Sequence, residues 1–219
     1  MKESPYALKN AALKSRPNQI TLSLSVRELR KDAWLTDREI YAFLMKLKHY
    51  LKSNQVKING LNDPAYLTGL HISNTHMKTE PFVEIICSNG NHWVCIAAGL
   101  NRSTADISLY DSLPRREIDP QLGSLCSLIS VNERLQKGFL TFEVKNIQNQ
   151  KKNFCGYYAL AFAMALCLGL DPELLEFNEN ELREHFIGIM FKNKDMSMFP
   201  FTYKGLVYNT MVTHLFYKT

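Results

Sequence analysis

A cysteine, a histidine and an aspartate in this sequence have the side chains and settings that nucleophilic catalysis requires: Cys155, His92 and Asp111. A thiol becomes a strong nucleophile when a base removes its proton, and a carboxylate beside an imidazole fixes the tautomer of that base. Cys155 starts an apolar segment and is followed by Gly156. If a helix begins there, its dipole and unpaired N–H groups stabilise the thiolate and lower the pKa of the thiol. These residues predict a thiol hydrolase.

The strands predicted around His92 bring this base close to its carboxylate. Two β-type runs, His92 to Ala98 and Ile107 to Tyr110, are separated by the polar stretch Gly99 to Asp106. If they pair as a hairpin, symmetric closure of the loop sets His92 opposite about residue 113. Asp111 then lies diagonal to His92, within side-chain reach. Such a carboxylate orients the imidazole and favours its charged form.

The elements that position these residues follow from periodicity and caps. Thr36 and Glu39 form a T-x-x-E capping box ahead of apolar residues at helical spacing, which predicts a helix. Another predicted helix, Cys155 to Leu168, is apolar on every side and therefore enclosed, with Gly169 at its C-cap. The remaining predicted elements are strands at Phe82 to Cys87 and Phe139 to Val144, a helical turn at Asp171-Pro172, and a helix capped by Asn178 and Glu181. This order predicts an α+β domain with a central, mostly antiparallel sheet flanked by helices.

Length and hydropathy predict one domain. The 219 residues suffice for a single core, and 46% of them are hydrophobic. We place the domain at residues 19–219, preceded by a flexible arm at residues 1–18. The longest apolar run, Tyr157 to Leu168, is shorter than a membrane span. No apolar segment follows Lys2, so we expect no secretory signal and a cytoplasmic or nuclear protein.

The cysteine count and the charge pattern argue against several other functions. The five cysteines are an odd number and lack the spacing of zinc ligands, so we expect neither disulfides nor a metal site. The net charge of +5 comes from scattered lysines and not from a dense basic block with aromatics. We therefore expect no nucleic-acid partner and no small-molecule cofactor. An acidic protein partner is equally compatible with this charge.

Three blocks of the sequence are distinctive in their order: His92-Trp93-Val94, then Leu109 to Leu113, then Gln148 to Gly156. Together they resemble the ubiquitin-like-protein-specific cysteine proteases, which include the SUMO proteases and, more distantly, the adenovirus-type protease. The resemblance extends to Val26 to Leu29 and to Trp34 to Ile40, so that it covers about residues 20–200. It implies a papain-like, adenain-like fold with the nucleophile at the start of a buried helix. It also implies that Cys155, His92 and Asp111 form a catalytic triad.

The same resemblance implies an oxyanion donor and a substrate slot. A glutamine shortly before the cysteine helps its backbone N–H to bind the oxyanion; we assign Gln148 first and Gln150 second, although SUMO-protease spacing points to Asn149. Trp34 and Trp93 would form a narrow slot that admits only Gly-Gly, since two indoles clamp a backbone without Cβ atoms. Asp37 is assigned to substrate binding with them. Phe154 departs from the family, which usually has a polar residue directly before the cysteine.

The function that these features predict is a cysteine-type peptidase that cleaves after Gly-Gly of a ubiquitin-like modifier, in SUMO-like processing or deconjugation. One alternative is a protease for a viral or transposon polyprotein, because the segment from Cys155 to Pro172 is similar in style to members from mobile elements. A second is an inactive binding module for a ubiquitin-like protein. A third is an acyltransferase that uses the same triad. The predicted partner is a ubiquitin-like protein, its conjugates, or a polyprotein.

Overall fold

A computed structural model describes nine stretches of the chain: 34–65, 81–100, 105–113, 120, 122, 141–151, 153–192, 194–196 and 201–204. The predicted arm at residues 1–18, the segment Val26 to Leu29 and Cys126 lie outside the described residues. The statements below concern the described residues alone.

Three helices occupy the described parts of the chain. Helix α1, Asp37–Ser53, starts at the predicted capping box of Thr36 and Glu39. Helix α2, Cys155–Cys167, is buried along its whole length, as its uniformly apolar sequence predicts. Its C-cap is Leu168, one residue before the predicted Gly169, which follows in the left-handed conformation with φ of 75°. Helix α3 spans Glu179–Lys192.

A five-stranded mixed sheet packs against these helices. Its strands, in their order across the sheet, are β1 Asn59–Gly60, β2 Phe82–Ser88, β3 His92–Ala98, β4 Ile107–Tyr110 and β5 Phe142–Val144. The central pairings, β2 with β3 and β3 with β4, are antiparallel as predicted, whereas β1 and β5 join the two edges in parallel. A 3₁₀ turn at Pro172–Leu174, begun by Asp171, leads into β6, Leu175–Phe177. Strand β6 pairs with β7, Phe201–Tyr203, in a separate two-stranded sheet.

The register of the central hairpin agrees with the predicted one. Cys95 pairs with Tyr110, and Ala97 pairs with Ser108. Continuing this register beyond the ladder sets His92 opposite Leu113, with Asp111 on the diagonal. The start of β3 and the end of β4 therefore meet at the same end of these two interior strands, and the catalytic candidates lie there.

The main core lies between the sheet and α2. Side chains such as Val83, Ile85 and Tyr110 pack on this helix, and α1 and α3 cover its remaining sides. The opposite face of the sheet buries a smaller cluster that includes Phe82, Ile96 and Leu109. Each fully buried aliphatic or aromatic side chain contributes roughly 1.5 to 3 kcal/mol, so the helix that carries Cys155 is firmly fixed. None of the described helices is long and apolar enough to cross a membrane.

Candidate active site

His92 and Asp111 form a close pair where β3 begins and β4 ends. His92 Nε2 lies 2.5 Å from Asp111 Oδ1, and both side chains are buried. The same carboxylate oxygen accepts the backbone N–H of Leu113 at 2.8 Å. Since Nε2 is engaged by Asp111, Nδ1 is the ring nitrogen left for a proton exchange with a nucleophile. The carboxylate thus orients the imidazole as the sequence predicts.

Cys155, the first residue of α2, interacts with His92 and with nearby backbone groups. Burial would raise the pKa of the Cys155 thiol, yet this pKa lies below its ordinary value because of the hydrogen bond with His92. The backbone N–H groups of Trp93 and Gly156 donate to the same sulfur and act in the same direction. Burial would lower the pKa of His92, but hydrogen bonds to Asp111 and Cys155 outweigh it and raise that pKa to about 9. The pair favours thiolate and imidazolium over their neutral forms.

The residue after Cys155 must be small because Leu35 lies directly against it. A Cβ atom on Gly156 would stand 2.9 Å from Leu35 Cβ. The carbonyl of Leu35 in turn accepts the indole N–H of Trp93 at 2.7 Å. Three separate segments therefore contact one another beside the thiol: the residues before α1, the start of β3, and the start of α2.

The two tryptophans differ in exposure. Trp93 is 6% exposed and Trp34 is 44% exposed, so Trp34 is not a core residue. Asp37 is exposed at the first turn of α1, close enough to the thiol of Cys87 to affect its pKa. The pKa of Cys87 is raised, first by burial and then by the nearby negative charges of Cys155 and Asp37. The hydrogen bond from the backbone N–H of His92 acts in the opposite direction. The backbone of Trp93 contacts Cys155, and Asp37 lies near Cys87. The role of Trp34, Trp93 and Asp37 in substrate binding stays a prediction.

The amide of Gln148 is engaged by β6. Its Oε1 accepts the N–H of Phe177 at 2.6 Å, and its Nε2 donates to the carbonyl of Phe177 at 2.9 Å. Gln150, by contrast, is held by the residue after Asp111: Ser112 Oγ donates to Gln150 Oε1 at 2.7 Å. Asn149 between them is exposed. The choice of Gln148 as the oxyanion donor, with Gln150 second, stays a prediction.

Several contacts of the site were not foreseen from the sequence. Ser112 is part of the block that carries the resemblance, but nothing in the sequence indicated its contact with Gln150, 38 residues away. The sequence predicts only a strand at Cys87, although the alternation of Cys87 with Ile86 and Ser88 places its side chain on the face that α2 covers. Phe154, the departure from the family, packs its ring on Tyr157 at a centroid distance of 5.4 Å. Among the described residues, no group of three or more His, Cys, Asp or Glu side chains could hold a metal ion.

Comparisons with known proteins give a match in structure. No family model matches the sequence, and no curated protein matches it. A structure of the SUMO protease Ulp1 with its catalytic cysteine oxidized to a sulfenic acid superimposes with a TM-score of 0.59 at 15% identity, over 88% of this chain and 97% of that one. The C-terminal Ulp1 protease domain in complex with Smt3, the yeast ortholog of SUMO, gives a TM-score of 0.58 at 15% identity, over 88% and 96%.

A third solved structure extends the likeness. The Ulp1-like SUMO protease catalytic domain of Chaetomium thermophilum gives a TM-score of 0.51 at 20% identity, over 72% of this chain and 71% of that one. The arrangement of the sheet around a buried helix that starts at Cys155 is consistent with these matches. The chain therefore has the fold of the Ulp1-like SUMO proteases, which is the fold that its sequence blocks predict.

Proposed function

We propose that this protein is a cysteine-type peptidase that hydrolyses the bond after the C-terminal Gly-Gly of a ubiquitin-like modifier. The observation that carries the proposal is the buried pair of His92 and Asp111 beside Cys155, a thiol whose pKa is lowered. The fold, shared with SUMO proteases at 15 to 20% identity, supports a protease of ubiquitin-like proteins as the broader class.

In the proposed reaction, the Cys155 thiolate attacks the carbonyl carbon of the C-terminal glycine and forms a tetrahedral oxyanion. The imidazolium of His92 then protonates the leaving amine, which departs and leaves a thioester on Cys155. His92, now neutral, removes a proton from water, and the resulting attack releases the modifier with a free carboxylate. Asp111 holds the imidazole in one orientation throughout and stabilises its charged form.

Access to the thiol supports a narrow substrate. Cys155 is only 3% exposed, so a substrate reaches it as an extended chain without bulky side chains near the scissile bond. Trp93 is fixed by its bond to Leu35, while Trp34 presents an exposed indole just before α1. In the proposal, a glycine pair lies between these indoles, where a Cβ atom would be excluded. The partner is then a ubiquitin-like protein or its conjugate, as SUMO is in the solved Ulp1 complex.

A binding module without activity fits the structure less well. Burying a carboxylate and an imidazole costs free energy unless the two are paired, as Asp111 and His92 are here. The second ring nitrogen of His92 is then directed at the thiol of Cys155, whose pKa is lowered. Binding alone would require none of these three side chains.

A panel of modifiers with a C-terminal electrophile tests the proposal. SUMO, ubiquitin and other modifiers that end in Gly-Gly are each incubated with the protein, and adducts are mapped by mass spectrometry. We expect one modifier class to label Cys155, and Cys155→Ala to remove the label. Cys167→Ala serves as the matched control, because this thiol lies in the same helix, is buried, and has a strongly raised pKa.

Two outcomes would contradict the proposal. Labelling that persists in Cys155→Ala would refute the nucleophile. An absence of labelling and of hydrolysis with every modifier would refute the substrate class. A parallel assay of acetyl transfer from acetyl-CoA tests the acyltransferase, and cleavage of a polyprotein without any modifier reaction would favour the polyprotein protease.

A further inference from the structure

A second thiol lies near Cys155. Cys87, close to the end of β2, pairs with Trp93 of β3, and its side chain is on the face that α2 covers. Residues directly opposite one another in an antiparallel pair have Cβ atoms about 4.5 to 5.5 Å apart. The backbone N–H of His92 donates to the Cys87 sulfur, and the next N–H along the chain, that of Trp93, donates to the Cys155 sulfur. The two sulfurs are therefore held by consecutive N–H groups at the start of β3.

The two thiols differ in the property that decides which of them an oxidant attacks. Burial acts to raise the pKa of Cys155, yet the hydrogen bond with His92 brings this pKa below its ordinary value. Cys87 is half-buried, and burial raises its pKa, to which the negative charge of Cys155 adds. Since hydroperoxides react with the thiolate, Cys155 is oxidised first. Its oxidation to a sulfenic acid removes that negative charge, and with it one of the causes that keep the Cys87 thiol protonated.

The other two described cysteines lie deeper in the core. Cys167 is the last residue of α2, and this helix of 13 residues, at a rise of about 1.5 Å per residue, places it about 18 Å from Cys155. Because a disulfide joins Cα atoms about 4.4 to 6.8 Å apart, Cys167 is out of reach. Cys95 is completely buried in β3, where burial and the charges of Cys167 and Glu84 raise its pKa. Among the described cysteines, Cys87 is therefore the one placed to react with Cys155.

We propose that Cys87 is a resolving thiol, which forms a disulfide with Cys155 when a hydroperoxide such as hydrogen peroxide oxidises the nucleophile. The Cys155 thiolate attacks one peroxide oxygen, the O–O bond breaks, and the departing hydroxide takes the proton of the His92 imidazolium. The Cys87 sulfur then attacks the sulfenic sulfur, so that an S–S bond replaces the S–O bond and the thiol proton leaves with the hydroxide as water. The two thiols together lose two electrons, and the peroxide is reduced to water. The disulfide blocks Cys155 reversibly and prevents its irreversible oxidation to sulfinic and sulfonic acids.

Disulfide mapping tests the inference without any substrate. The reduced protein is treated with hydrogen peroxide, free thiols are blocked with N-ethylmaleimide, and peptides are analysed by mass spectrometry without reduction. We expect a disulfide between Cys87 and Cys155, and dithiothreitol should restore full alkylation of Cys155 by iodoacetamide. In Cys87→Ala and Cys87→Ser, dimedone should trap a sulfenic acid at Cys155, and alkylation should not recover after dithiothreitol. Cys167→Ala, which keeps both thiols, is the matched control, and thermal unfolding in reducing buffer shows whether each variant is folded.

Three results would overturn the inference. A disulfide that joins Cys155 to Cys126, or to Cys155 of a second copy, would assign the resolving role elsewhere. Equal recovery of alkylation in wild type and in both Cys87 variants would show that Cys87 takes no part. Sulfinic and sulfonic acids at Cys155 of the wild type, without any disulfide, would show that Cys87 does not reach the sulfenic acid. None of these results depends on the modifier panel, so a failure of the proposed function is separately recognised.

Discussion

Leu35 packs so closely on Gly156 that no side chain fits between them. The contact brings the residue that precedes the capping box of α1 onto the first turn of α2, next to Cys155. Because the carbonyl of Leu35 also holds the indole of Trp93, a displacement of Leu35 would move one wall of the predicted slot. The small residue after the nucleophile is therefore a requirement of packing at the site.

Gly156→Ala should consequently impair both stability and substrate binding. The added Cβ would meet Leu35 Cβ at 2.9 Å, and overpacking of this kind costs about 1 to 3 kcal/mol of unfolding free energy. We expect a lower Tm and a raised KM. Gly188→Ala in α3 is the control, because its Cβ would meet the flexible side chain of Lys194, and alanine is the better helix former. A Gly156→Ala protein with unchanged Tm and KM would show that Leu35 yields without consequence.

Asp111→Asn should lower turnover by about 10³- to 10⁴-fold, as the loss of the correct imidazole tautomer does in other triads. Asparagine can still accept the N–H of Leu113, so the fold should persist. Without the carboxylate the pKa of His92 falls and that of Cys155 rises, which thiolate absorbance at different pH values would report. Asp106→Asn is the control: Asp106 bonds Thr141, is partly exposed, and lies at the other end of β4. Full activity in Asp111→Asn would remove the orienting role from this residue.

The parts of the site that could be predicted from sequence are those fixed by local patterns. The register of β3 with β4 follows from one hairpin loop, and the position of Cys155 follows from the change to a continuous apolar run that must form a buried helix. Two edge pairings were not predicted, because β1 has only two residues and β5 joins β4 after a long connection. Strand β5 begins at Phe142; residues 139 and 140 of the predicted strand lie outside the described residues.

The choice among the polar residues before Cys155 could not be made from sequence. Gln148, Asn149 and Gln150 are adjacent, and spacing alone does not show which amide faces the loop after β4. Their partners come from distant segments, Phe177 for Gln148 and Ser112 for Gln150. A contact between residues so far apart depends on how the loops are folded, and no local propensity encodes it.

Alkylation should distinguish Cys155 from Cys87. Cys87 is more exposed, but its pKa is raised by burial, whereas that of Cys155 is lowered by its contacts with His92. Since the thiolate is the reactive form, we expect iodoacetamide to modify Cys155 faster at neutral pH despite its burial. Peptide mapping after brief alkylation measures the ratio of modified Cys155 to modified Cys87, and faster reaction at Cys87 would mean that exposure dominates.

Peptidase activity should fall above about pH 9. The ion pair of Cys155 and His92 should persist until His92 loses its proton near that pH.

Glu84 should make the stability of the fold depend on pH. This carboxylate is 2% exposed in β2, and burial raises its pKa to about 7, although Asn62 donates to it from both its backbone and its side chain. The unfolded chain has the ordinary pKa of 4.5, so the folded state binds the extra proton between these values. Stability from this group is therefore complete below pH 4.5 and is lost as pH rises through 7. Glu84→Gln keeps an acceptor for Asn62 without titrating.

We expect the Tm difference between Glu84→Gln and wild type to grow in favour of the variant from pH 5 to pH 8. The raised pKa of Glu84 corresponds to a change on the order of 3 kcal/mol in the free energy of unfolding. Both proteins retain His92 and the other titrating groups, so the difference isolates Glu84. Urea unfolding at the two pH values gives the same comparison at constant temperature. A constant difference across this range would show that Glu84 stays ionised in the folded protein, held by Asn62 and by the attraction of Lys48.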